Sequence, residues 1–268
     1  MRLGVNIDHI AYLRETRKIN DPDPIEAIFI AKRAGADQIT IHLREDRRHI
    51  HDSDLSRIAE SSFLPLNIEC CSETNMINLV SKAKPHRVTL VPEKRNEVTT
   101  EGGLKLGEYL LESLEILLAN EIDIALFIDP NMDSIEQSVK LANKLGATIS
   151  VELHTGKYAN LSLMLHSNLP RTHNSISSLQ YKRHELQNML TQEIENISTI
   201  SKYANNEGLK VYAGHGLNYV NISAITQIKE IEELNIGQSI IARAIFVGLE
   251  QAIRDMKALI TNSFTYLQ

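Results

Sequence analysis

Cysteine is nearly absent from this sequence. Its 268 residues include two, Cys70 and Cys71, side by side. An adjacent pair supplies neither the spaced ligands of a structural metal site nor a disulfide framework, so a reducing cytosol is the expected setting. Long apolar runs are missing as well. No stretch approaches the roughly 20 apolar residues that cross a bilayer, and the opening Met-Arg-Leu-Gly-Val-Asn-Ile-Asp lacks the apolar segment of a signal peptide. A cytoplasmic protein without a membrane partner is therefore expected. Positive charge is not in excess: 28 Lys and Arg against 34 Asp and Glu give a net charge of −6, which argues against nucleic acid as a partner. An anionic ligand would have to be held by local arginines against the overall field. The glycine-rich G-x-G-x-x-G turn of an open dinucleotide-binding sheet is also absent; after the first strand the chain reads Asp8-His9-Ile10-Ala11.

What remains is an ordinary globular composition, 43% hydrophobic and 23% charged, in a length that suits one α/β domain. Residues 3–8 alternate, with Leu3, Val5 and Ile7 on one face and Gly4, Asn6 and Asp8 on the other, as a strand requires. A helix follows the Asp21-Pro22-Asp23-Pro24 turn and stops at Gly35. The unit then repeats. Strands are predicted at 36–43, 65–70, 86–92, 123–129, 147–154, 209–213 and 233–240, separated by helices at 52–62, 73–84, 104–120, 133–145, 184–206 and 221–228; a last helix spans 243–260. Residues 157–183, rich in Asn, Ser and His, break the rhythm and read as a polar insertion between strands six and seven. Eight alternating units predict a single-domain (β/α)8 TIM barrel over residues 1–268.

In such a barrel the apolar strand faces pack on the helices. The other faces point inward: Asn6/Asp8, Thr40/His42/Arg44, Asn67/Glu69, Glu152/His154, Tyr212/Gly214 and Asn235/Gly237. Barrel interiors are mostly apolar, and their active sites lie at the carboxyl ends of the strands, so this polar set predicts an active site there. Glu69 among apolar neighbours would have a raised pKa, suited to general acid/base work, and His42 and His215 end strands two and seven. Pairing of Glu69 with Arg44 is its structural alternative. Gly214, Gly216 and Gly237 fall in the two loops where barrels seat phosphate. Arg17, Arg44 and His49 could hold a second anion. Arg47, Arg48 and Arg95 read as solvated or as oligomer contacts. A metal at His49-Ile50-His51 lacks a third ligand fixed by spacing, so none is expected. Lys94, in a polar loop, has nothing evident to lower its pKa for Schiff-base chemistry. The residues alone leave open a phosphosugar aldolase or isomerase and a non-catalytic phosphometabolite-binding protein.

Five stretches carry a resemblance: Gly4-Val5-Asn6-Ile7-Asp8-His9, His42-Leu43-Arg44-Glu45-Asp46-Arg47-Arg48-His49-Ile50, Val91 to Gly103, His154-Thr155-Gly156 and Ala213-Gly214-His215-Gly216-Leu217. Together they resemble the pyridoxine 5′-phosphate synthase family. The resemblance covers nearly the whole chain apart from residues 157 to about 207. It implies a cofactor-free TIM barrel that condenses two phosphorylated small molecules, 1-deoxy-D-xylulose 5-phosphate and 3-amino-2-oxopropyl phosphate, to pyridoxine 5′-phosphate, phosphate and water. It further implies acid/base roles for His42, Glu69 and His215, and contacts to substrate, product or phosphate at Asn6, Asp8, His9, Arg17, Arg44, His49, Thr99, Gly216, Gly237 and Gln238. The loop carrying Thr99 would close over the site, and the assembly would be a cytoplasmic homo-octamer. The chain departs from the family at Gln238, where many relatives carry His, and in the length of the insertion.

Overall fold

Left-handed backbone is what glycine supplies most cheaply, and it ends helices here where the sequence predicts. Gly35 caps its helix at φ +93° and Gly146 at φ +60°, each donating its N–H to carbonyls of the last turn; Gly208 lies just past its helix at φ +84°. The computed structural model describes residues 1–93, 102–167 and 181–262. In chain order the elements are β1 (Arg2–Asn6), α1 (Asp8–Glu15), α2 (Pro24–Ala34), β2 (Gln38–His42), α3 (Asp52–Ser61), β3 (Leu66–Cys70), α4 (Thr74–Lys82) and β4 (Arg87–Leu90). A 3₁₀ turn (Glu108–Leu110) leads into α5 (Leu111–Ala119), β5 (Asp123–Ile128), α6 (Met132–Leu145), β6 (Ser150–His154), α7 (Gly156–His166) and α8 (Arg183–Asn206). The chain then forms β7 (Lys210–Gly214), α9 (Ile222–Ile225), β8 (Ile231–Ile236), α10 (Gln238–Val247) and α11 (Leu249–Asn262).

The strands pair in parallel and in sequence order, and β8 closes on β1 with Arg2 opposite Glu233 and Val5 opposite Ile236. The result is the predicted (β/α)8 barrel. Alternation decides what each strand shows to which side. Val5, Ile39, Ile41, Ile68, Val151, Leu153 and Val211 are fully buried in the layer between strands and helices. The parity that sends them outward sends Gln38, Thr40, His42, Asn67, Arg87, Thr89, Glu152, Glu233 and Asn235 inward.

Three sequence-based expectations change. Strand eight runs from Ile231 to Ile236, not 233–240, because Gln238 already opens α10. The helix predicted at 243–260 is two helices, broken at Gly248 (φ +84°). Of residues 157–183, those up to His166 belong to α7, which buries Tyr158, Ala159, Leu161 and Leu165, and Tyr158 donates its hydroxyl to the Asn221 carbonyl; residues 168–180 lie outside the described part. Finally, the inward polar residues do not all serve the mouth. Deep in the barrel the Arg87 guanidinium pairs with Glu233, donates to Gln38 Oε1 at 2.7 Å and Asn67 Oδ1 at 3.2 Å, and lies 4.2 Å from the centroid of the Tyr212 ring. This is a satisfied polar plug. Removing Glu233 would leave the Arg87 charge buried without its paired carboxylate, at a cost of about 3–5 kcal/mol; Glu233 itself also meets Arg2 Nε at 3.3 Å and accepts from Gln38 Nε2 at 3.0 Å.

Candidate active site

The register between β2 and β3 sets His42 directly opposite Glu69 at the carboxyl end of the barrel. His42 Nδ1 stands 3.9 Å from Glu69 Oε2, and its Nε2 lies 2.9 Å from Glu93 Oε1. The backbone N–H of His42 donates to Asp8 Oδ1 at 2.9 Å, while Asp8 Oδ2 accepts from Asn6 Nδ2 at 2.8 Å. Glu69 keeps 18% of its side chain exposed at the mouth. Burial pushes its pKa well up; the Glu152 and Asp8 carboxylates add to the rise and Arg87 opposes it. Burial likewise lifts Asp8 to about 6, against the pull of His42, and lifts Glu152 against Arg87 and the hydrogen bond from Asn235. Glu93 is the exception. Burial raises it, but the hydrogen bond and charge of His42 and the N–H of Glu45 outweigh burial and hold it below the usual carboxylate range.

Around this cluster His49 is buried 4.5 Å from the Tyr12 ring, and its Nδ1 accepts the Ile50 N–H at 2.7 Å. Burial, reinforced by the charges of His42 and Arg44, drops it to about 2, so this imidazole is neutral. His9 lies against Tyr12, its Nδ1 buried without a hydrogen-bond partner. Arg44 is buried within 3.6 Å of Asp46.

Across the mouth His215 follows β7 in the left-handed region at φ +79°, a backbone a bulky residue keeps only when its surroundings hold it there. Its ring meets that of His154 edge-on at 4.7 Å, and His154 Nδ1 lies 3.2 Å from Asp129 Oδ1. Burial, then the charge of His154, lowers His215 to about 3. Gly216 also sits at φ +79°, and a Cβ there would come within 2.5 Å of Ala159 Cβ. A Cβ on Gly237 would come within 2.9 Å of Asn6 Cβ. The Gly237 carbonyl accepts from Ile240 and Ile241, which leaves the first N–H groups of α10, those of Gln238 and Ser239, at the helix start beside the Gly216 loop. Helix starts of this kind bind anions.

The structure therefore gathers Asn6, Asp8, His9, His42, Arg44, His49 and Glu69 on one side of the mouth and His215, Gly216, Gly237 and Gln238 on the other. Glu69 pairs with His42, and no bond to Arg44 is seen. Arg17 is not brought in: it stands exposed beyond α1, and Arg14 is the buried arginine of that helix, gripping Asp54 with two bonds of 2.7 Å and the His49 carbonyl with a third. Arg47 and Arg48 pair locally with Asp52 and Asp46. His51 turns away from His49 to Glu15 at 3.4 Å. Thr99, Lys94 and Arg95 lie outside the described residues. Glu93, His154 and Asp129 are the members that sequence reasoning did not single out as site residues. Of these, His154 was already on an inward face.

Comparison with known proteins identifies the family. The family described as pyridoxal phosphate biosynthesis protein PdxJ matches residues 3–262. The pyridoxine 5′-phosphate synthase of Sulfurovum sp. (strain NBC37-1) is 59% identical over 97% of this chain and 100% of its own length. That of Aliarcobacter butzleri (strain RM4018) is 57% identical over 98% and 100%. Among solved structures, a 3-hexulose-6-phosphate synthase superposes with a TM-score of 0.58 at 11% identity, covering 97% of this chain and 99% of its own. A phosphoribosylanthranilate isomerase from Thermotoga maritima gives 0.55 at 11%, covering 98% and 99%. At that identity the two structures speak for the barrel alone. The match from residue 3 to residue 262, with relatives near 60% identity along their whole length, places the chain in the PdxJ family of pyridoxal phosphate biosynthesis proteins.

Proposed function

We propose that this protein is a pyridoxine 5′-phosphate synthase that condenses 1-deoxy-D-xylulose 5-phosphate with 3-amino-2-oxopropyl phosphate, releasing pyridoxine 5′-phosphate, phosphate and water. The observation that carries this reading is the Glu69 carboxyl, its pKa raised by burial and by neighbouring carboxylates, facing His42 Nδ1 at 3.9 Å. The reaction needs repeated proton transfers at carbon and oxygen. A carboxyl poised to give and retake a proton beside an imidazole supplies them, and such groups are typically worth ~10²–10⁴ in rate.

In this reading Glu69 and His42 move protons during imine formation and ring closure. His215 assists phosphate departure. Gly216, Gly237 and the N–H of Gln238 seat one phosphate at the start of α10. Arg44 and His49, with Arg17 and Thr99 reaching the site in the assembled or closed state, serve the second substrate; Asn6, Asp8 and His9 line its floor. No cofactor and no metal enters the scheme. The same reading includes a cytoplasmic homo-octamer. No helix among the described residues is long and apolar enough to cross a membrane.

The test is direct. Incubated with both substrates, the protein should form a pyridine chromophore together with inorganic phosphate. Binding of both substrates without phosphate release would refute the reading. So would borohydride trapping of a substrate on Lys94, which would point to aldolase chemistry.

A further inference from the structure

Glu93 lies three residues beyond β4, past Pro92, where no strand parity governs its direction. Yet its carboxylate turns back over the mouth and is 6% exposed. Among the described residues each oxygen has one partner: Oε1 meets His42 Nε2 at 2.9 Å, and Oε2 accepts the backbone N–H of Glu45 at 3.0 Å. The imidazole is thus held between two carboxyl groups on opposite ring nitrogens, Glu93 on Nε2 and Glu69 on Nδ1. The two contacts differ. That to Glu93 is of hydrogen-bond length; that to Glu69, at 3.9 Å, is not.

We propose that Glu93 is a positioning residue that fixes His42 in the tautomer with its proton on Nε2, so that the bare Nδ1 faces Glu69 and the reacting atoms. The proposal rests on the synthase reading for what His42 does, but not for where its proton sits. An ionised carboxylate only accepts, so a hydrogen bond from His42 to an anionic Glu93 must use an N–H on Nε2. Glu93 is held ionised by that bond and by the Glu45 N–H, whereas Glu69 is pushed toward its protonated form. A carboxyl biased toward its protonated form therefore faces the lone pair of Nδ1. When a proton moves from Glu69 to Nδ1, the imidazolium formed is compensated on its far side by Glu93, and the proton returns by the same route. Among the described residues, the other charged or titratable groups around this imidazole are Asp8 from the start of α1, Arg44 from the chain following β2 and His49, whose ring is 6.2 Å away. None of them has a hydrogen bond to Nε2.

Glu93→Gln separates this role from simple packing. The amide keeps the volume and can still accept the Glu45 N–H, but it then offers its NH2 to Nε2 and stabilises the opposite tautomer. Loss of the orienting carboxylate in histidine-based catalytic triads lowers turnover by about 10⁴. Here kcat is expected to fall at least a hundredfold, with KM for both substrates changing less than about threefold. Glu93→Asp, which keeps the charge, should recover part of the loss. The alkaline limb of the kcat profile should move in Glu93→Gln but not in Glu93→Asp. A second measurement needs no turnover: ¹⁵N spectra of histidine-labelled protein near pH 8 should show His42 with a protonated Nε2 and a bare Nδ1, assigned by loss of the signals in His42→Asn. A proton on Nδ1 in the unsubstituted protein would overturn the proposal whatever the enzyme makes. So would a Glu93→Gln variant with kcat within threefold of the parent.

Discussion

On the β1–β4 side of the barrel mouth an imidazole stands between two carboxyl groups; on the β5–β8 side an imidazole stands against another imidazole. His42 has Glu93 on one nitrogen and Glu69 on the other, with Asp8 holding its backbone. His215 has the ring of His154 at 4.7 Å and that of Phe127 at 6.4 Å. The first arrangement keeps compensating charge in place whether or not the ring carries a proton. The second lacks such a partner, so His215 stays neutral until something anionic arrives. A phosphate group seated on the Gly216 loop would be such an anion. On the proposed reading the labour is divided: fixed carboxyl groups serve proton transfer on one side, and on the other the substrate brings the charge that makes a histidine an acid.

The strongest way to break this division is Glu69→Gln. If the carboxyl side runs the proton traffic, turnover should drop at least a hundredfold while the affinity for inorganic phosphate, held on the opposite side, stays within about threefold. Kinetics and calorimetric titration on the same preparation decide it. Turnover close to that of the parent would remove Glu69 from the chemistry.

Gly216→Ala strikes the other side. The added Cβ meets Ala159 at 2.5 Å and must adopt φ +79°. The backbone conformation alone costs about 1 kcal/mol or more. Phosphate affinity should weaken about tenfold and the melting temperature should fall. Adding Ala159→Gly relieves the clash but not the dihedral, so the double variant should recover only part of both losses. Full recovery would mean that sterics alone require glycine.

The contrast also explains what could be read in the sequence. His42, Glu69, Glu152 and His154 sit on strands, where a period of two fixes the face and eight repeated units fix the closed ring. Arg87 and Glu233 were within reach of the same rule. Arg87 shares parity with Thr89 and Glu233 with Asn235, so strand alternation also turns these two inward. Glu93 was beyond reach. It lies in irregular chain after Pro92, and its partner is 51 residues away, so only the folded backbone says where it points. The break at Gly248 was hidden because apolar spacing continues across it. Arg14 and Arg17 show the same limit: both belong to one cationic segment, and which is buried depends on Asp54, 40 residues from Arg14.

Acid should separate the two sides by stability. His215 has its folded pKa lowered to about 3, below the ordinary imidazole value of about 6.5 that it regains on unfolding. Below pH 6.5 the unfolded chain takes up a proton that the folded one refuses. The stability tied to this group is therefore intact above about pH 6.5 and is lost as pH falls toward 3. His49, lowered to about 2, acts in the same direction. Asp8, raised to about 6, acts oppositely, because its folded form binds a proton first as pH falls. Comparing His215→Asn with the parent isolates one group. Relative to the parent, the variant's melting temperature should rise between pH 8 and pH 5, because only the parent carries the acid penalty of His215. A constant difference would show that His215 titrates normally and that its neighbours do not suppress its charge.

The smallest effect is expected at Gln238, and its size sharpens the account of the phosphate seat. The residue begins α10, so its backbone N–H is one of those a helix start leaves without an intrahelical partner. If that N–H is the contact, the side chain is incidental: Gln238→Ala and Gln238→His should both leave phosphate affinity and kcat within about threefold. Gln238→Pro removes the N–H while suiting a helix's first position, and it should weaken phosphate binding far more than either. If Ala proves as harmful as Pro, the side chain is the ligand, and the seat on this side of the mouth is not built from backbone alone.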